Sequence, residues 1–226
     1  MYKPKFEKPK ITPSFKKRIL RDWNTCFPSL LPDGTLSLGR RVGPLLLSVG
    51  FDVSRGREDY EPGVGVHNLS NSLDFLTSTL NTNLKGSPSH ITVRAHEEGR
   101  YIEAAERMKQ QSPLPLEGPI TLNMIVGAYE KYVEKEGSSV IDLLQDPALI
   151  AAWAEQKEKA EKALRWGYEE FAKWEPEWRE RYGGLEGWYK DMQERISNPA
   201  KLRAIAEEQA IFHKVDHIPM EELVID

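Results

Sequence analysis

Residues 45–53 read LLLSVGFDV, and their apolar positions recur every second residue. Leu45, Leu47, Val49, Phe51 and Val53 alternate with Leu46, Ser48, Gly50 and Asp52. Period two with one apolar face predicts a half-buried strand. After the charged stretch SRGREDYEPG, Val64 and Val66 alternate with Gly65 and His67, so the two segments predict an antiparallel hairpin. HITVRAH at 90–96 is a third strand candidate, and TLSL at 35–38 a weaker one at the edge.

Other stretches change to a helical period. Ser14 can cap a short helix carrying Phe15, Ile19, Leu20 and Trp23. Ser70 or Ser72 can cap another, with Leu73, Leu76, Leu80 and Leu84 on one face. EEGRYIEAAERMKQQ predicts a third. Leu122, Ile125, Val126, Tyr129 and Val133 form a stripe that stops at Gly137. Asp146-Pro147 then reads as a helix start, a capping acid followed by proline at the first helical position. From there Leu149, Trp153, Ala160, Leu164, Phe171, Trp174 and Trp178 fall in one stripe about 60° wide at 100° per residue. Pro176 should kink or split that helix. LEGWYKDMQERI and NPAKLRAIAEEQAIFHKV predict two more, the second opened by Asn198-Pro199.

These patterns define an α+β fold. A small antiparallel sheet with helices on one face occupies the N-terminal half, and the C-terminal half is helical with one long helix. The expected division is a basic extended arm at 1–13, a sheet region at 14–118 and a helical region at 119–226 packed on it.

Composition changes this picture at two points. The net charge of −4 conceals a basic N-terminus: residues 1–21 carry eight Lys/Arg and one Glu, and the rest carries 23 basic and 34 acidic residues. An arm of that kind could bind nucleic acid or an acidic partner, or lie on its own acidic body. The single cysteine, Cys26, excludes an internal disulfide and fits a reducing, cytoplasmic setting. No apolar run approaches a membrane span, and no apolar segment follows the N-terminal lysines as in a secretory signal.

Candidate chemistry is sparse. There is no phosphate loop, GxSxG elbow, CxxC pair or calcium loop, and no cofactor is expected. His67, His90 and His96 lie on or beside predicted strands and are the candidate metal ligands, with Asp52 or Glu97 as acids for a hydrolase or nuclease. His213 and His217 are four apart but lack the glutamate of a zinc-protease helix. The hairpin connection offers Arg55, Arg57, Glu58, Asp59 and Tyr60. Tyr and Arg are favoured interface anchors, so a partner-docking role is expected there, and a second one at Glu175, Glu177 and Trp178. With no catalytic signature and an acidic, aromatic-rich C-terminal half, the sequence points to a protein-binding module for a basic partner. Its concrete form would be an inhibitor or immunity-type antagonist of a toxin.

Overall fold

A computed structural model describes residues 9–56, 58–138 and 140–226. Most of the expected basic arm, and Arg57 of the hairpin, lie outside the described residues. The fold is α+β. The strands β1 (Leu31–Gly34), β2 (Ser37–Val42), β3 (Leu45–Val53), β4 (Asp59–Asn68) and β5 (Thr79–Asn83) form one sheet in that order. A two-residue strand β6 (Ile91–Thr92) pairs antiparallel with β4, and β7 (Met220–Glu221) pairs parallel with β2. The alternation at 45–53 is realised, with Leu45, Leu47, Val49 and Phe51 buried, but Leu46 is buried as well. The start of β3 is therefore covered on both faces. No described helix is long and apolar enough to cross a membrane.

The chain forms two compact units that interleave along the sequence. The first takes the described residues up to Gly39, with Ser48–Gly65 and Asn81–Ser112. Its helices are α1 (Pro13–Cys26), α2 (Val93–Glu97) and α3 (Arg100–Gln111). Thr12, not Ser14, caps α1: its hydroxyl accepts the Phe15 N–H at 3.2 Å, and Pro13 follows where no N–H is needed. Phe15, Ile19 and Trp23 fill one buried stripe, and α1 packs on α3. The segment read as a third strand is mostly helix. Ile91 and Thr92 pair with Tyr60 and Asp59, and the Thr92 hydroxyl then accepts the Ala95 N–H at 3.1 Å and turns the chain into α2.

The second unit comprises Arg40–Leu47, Val66–Leu80 and Pro113–Asp226. It holds α4 (Leu122–Glu136), α5 (Asp142–Trp153), α6 (Lys157–Ala172), α7 (Pro176–Glu180), α8 (Gly184–Ile196) and α9 (Pro199–Phe212). Helix α5 is its centre, buried from Leu143 to Ala152 and packed against α4, α6, α8 and α9. Asp146-Pro147 lies inside α5 rather than at its start. The single long helix is also divided: α5 ends at Trp153, Glu155 takes a left-handed conformation at φ 58°, and Pro176 opens α7. Asn198 does cap α9, accepting the Lys201 N–H at 3.0 Å.

No helix forms over 70–84. The Asn68 side-chain oxygen Oδ1 accepts the Ser70 N–H at 3.0 Å and its hydroxyl at 2.7 Å, so Ser70 is committed to a turn. The Leu73 N–H goes instead to Gln209 Oε1 at 3.1 Å. Arg40 and Arg41, in the stretch RRVGP at 40–44, are not surface side chains. Arg40 is buried and bonded bidentately to Glu221 and to the Gly118 carbonyl, and Arg41 pairs with Glu207 at 3.2 Å.

Candidate functional site

The charged hairpin is a short turn closed by the Ser54 N–H donating to the Asp59 carbonyl at 3.2 Å. Arg55 is exposed, and Glu58 and Asp59 are half-buried. Tyr60 is a core residue with no exposed surface, not a displayed anchor. Its side chain sits inside a hydrogen-bonded chain in the first unit. The Trp23 indole N–H donates to the Tyr60 oxygen at 2.9 Å, and Tyr60 Oη lies 2.7 Å from His96 Nδ1. His96 Nε2 lies 3.1 Å from Asp22 Oδ2.

The proton placement follows from the end groups. The indole can only donate and an ionised carboxylate can only accept, so the Tyr60 O–H points to His96, and His96 Nε2–H points to Asp22. Burial tends to raise the Asp22 carboxyl, but the bonds from His96 and Arg21 outweigh it and hold the group below the usual carboxylate range. Burial keeps His96 neutral, only partly offset by Asp22, and burial raises the Tyr60 hydroxyl. An Asp–His–hydroxyl chain is the layout of nucleophilic catalysis. Here the hydroxyl is sealed and already holds an indole N–H, so the chain ties α1, α2 and β4 together. Cys26 nearby is raised by burial, away from thiolate character.

The second unit contains a buried cluster that sequence reading missed. Asp146 accepts the Asn68 amide at 3.0 Å and lies 2.9 Å from Tyr129 Oη. Tyr129 Oη lies 2.8 Å from Thr79 Oγ1, which donates to the Val66 carbonyl at 2.9 Å. Beside it, Asn71 donates to Asp142 at 2.9 Å, and Arg195 reaches Asn71 at 2.7 Å and Gln145 at 3.3 Å. Burial pushes the Asp146 carboxyl up to about 7, helped by Asp142 and opposed by Asn68 and Tyr129.

A histidine pair lies in the same unit. His67 on β4 is 3% exposed, and its Nδ1 lies 2.7 Å from the Thr77 carbonyl. Its ring stands 5.5 Å from that of His213, which follows α9. Phe75 and Leu76 of the 69–78 loop are 66% and 41% exposed, and Ile211 and Phe212 of α9 are 64% and 58% exposed. The Leu73 N–H bond to Gln209 ties the loop to α9, and the adjacent rings of Phe212 and His213 lie 4.9 Å apart. Large apolar side chains left in water are candidate contact points for a partner.

Of the α7 candidates, Glu175 and Glu177 are exposed and Trp178 is 51% exposed, its ring covered by the Arg181 guanidinium at 4.1 Å. A groove of about 570 Å³ between α5, α6, α8 and α9 is floored by Ala152, Ala160, Leu164 and Ile196.

The candidate metal set does not assemble. Among the described residues no three His, Cys, Asp or Glu side chains are grouped to hold an ion. His96 is engaged with Tyr60 and Asp22, and His90 lies 3.8 Å from Glu61. His217 does not share a helical face with His213, because α9 ends at Phe212 and Lys214 is left-handed at φ 59°. No protein family, curated protein or solved structure matches the chain.

Proposed function

We propose that this chain is a non-catalytic protein-binding module. In its particular form it is an inhibitor or immunity-type protein that neutralises a basic enzyme or toxin. The observation that carries the reading is the exposure of Phe75 and Leu76 in the 69–78 loop and of Ile211 and Phe212 at the end of α9, all on the second unit. Four large side chains in water cost free energy that a partner would recover, at about 25 cal/mol per Å² covered. Charge favours a basic partner: residues 128–226 hold 22 acidic and 14 basic side chains, a field that steers cations inward. The sealed Tyr60 hydroxyl and the raised Cys26 thiol support a role without covalent chemistry. The exposed Glu175, Glu177 and Trp178 suit a supplementary contact, and Arg55, Glu58 and Asp59 a peripheral one.

The test compares the wild-type chain with Phe75→Asp/Phe212→Asp as bait in extract of the source cell, followed by reconstitution with the purified partner. The expected result is a basic protein bound one to one, inhibited when it is an enzyme, with salt-sensitive affinity. The double variant should weaken it by at least tenfold, about 1.4 kcal/mol. Equal binding by a correctly folded double variant would remove these side chains from the interface.

A further inference from the structure

We propose that His67 and His213 form a two-histidine site for a borderline divalent cation such as zinc. The proton positions argue for it. A backbone carbonyl only accepts, so His67 Nδ1, 2.7 Å from the Thr77 oxygen, carries the proton and Nε2 keeps a bare lone pair. That Nε2 is buried and, among the described residues, has no hydrogen-bond partner.

His213 is fixed by the same logic. Gln209 Oε1 accepts the Leu73 N–H at 3.1 Å, which identifies it as an oxygen. His213 Nε2, also 3.1 Å from it, must therefore donate, and Nδ1 is left with the free lone pair. Each imidazole thus has one nitrogen anchored to an oxygen and the other open, the arrangement by which outer oxygens orient metal-ligating histidines.

The spacing agrees. Two imidazoles on one tetrahedral ion, with bonds of about 2.0–2.1 Å, place their ring centres about 5 Å apart. The observed separation is 5.5 Å, with planes 80° apart. Neutral nitrogen donors select zinc, copper or nickel over calcium or magnesium. Among the described residues no third His, Cys, Asp or Glu completes a three-ligand group. An ion held there would take its remaining ligands from solution, and the site stands whether or not the exposed side chains dock a protein.

Zinc chloride titrated into the full chain near neutral pH, followed by calorimetry and by histidine nitrogen NMR, tests the site. One zinc per chain is expected, with shifts at His67 Nε2 and His213 Nδ1. His213→Ala should weaken binding by at least about tenfold, and His90→Ala should leave it unchanged. His213 follows the helix and is only partly buried, so its loss is readable even where His67→Ala disturbs the core. Absence of saturable binding below about 1 mM overturns the site. So does affinity that survives His213→Ala, or shifts confined to His90 and His217.

Discussion

At the scale of single residues, burial decides the state of Asp146. The Tyr129 O–H donates to Asp146 Oδ2 at 2.9 Å, and the Asn68 amide donates to Oδ1 at 3.0 Å. Both bonds favour the carboxylate, but burial outweighs them and raises the carboxyl to about 7. A folded pKa above the unfolded 3.8 means that the native state holds the extra proton between those values. Its stabilisation is complete in acid and fades as pH rises through about 7. Asp146→Asn mimics the neutral form. Urea unfolding should find it close to wild type near pH 4 and up to about 4 kcal/mol more stable at pH 8. Equal stabilities at pH 8 would mean that the acid ionises at no cost. Nothing local signals this cluster, because Asn68, Tyr129 and Asp146 meet only through the tertiary fold. The available hint was an aspartate inside the apolar run LLQDPALIAAW, where a helix start was the nearer reading.

Elements were legible where local chemistry and burial agree. The period of β3, the stripe of α4 and the Asn198-Pro199 start of α9 each carry their own signal. They misled where another partner intervened: the distant Gln209 takes the Leu73 N–H, and the neighbouring Asn68 side chain takes Ser70, so a stretch of helical period stays irregular. Tyr60 looked like an interface anchor because a charged turn precedes it, yet Trp23 and His96 claim its hydroxyl. Helix packing follows the same rule. Gly167 of α6 faces the Leu144 carbonyl of α5, where an added Cβ would sit 2.6 Å from that oxygen. Gly187 on α8 has nothing within 4 Å. Glycine to alanine within a helix ordinarily stabilises by about 0.5–1 kcal/mol. Thermal unfolding should show that gain for Gly187→Ala. Gly167→Ala should instead destabilise by about 1–3 kcal/mol, because α5 must shift. A stable Gly167→Ala would show that the two helices separate without penalty.

Over the whole molecule, the buried titratable groups give the two units different responses to acid. In the first unit His96 is depressed by burial and Asp22 lies below its usual range. Both contributions are present at neutral pH. The His96 share fades as pH falls below 6.5, and the Asp22 share below 3.8. In the second unit His67 is lowered to about 4 by burial, so its share also fades below 6.5. Asp146 has the opposite sign and gains as pH falls from about 7. Between pH 7 and about 5, His67 loses about 2 kcal/mol and Asp146 returns slightly more, so the second unit changes by about 1 kcal/mol or less. Acidification should therefore loosen the first unit first. Hydrogen exchange, corrected for its intrinsic pH dependence, should show falling protection in α1 and α3 at pH 5 while α5 and α6 hold. In Asp146→Asn the compensation is gone, and protection of α5 and α6 should fall over the same interval. Parallel loss in both units of the wild type would mean that β3 and β4, whose residues are divided between them, make the whole chain open as one.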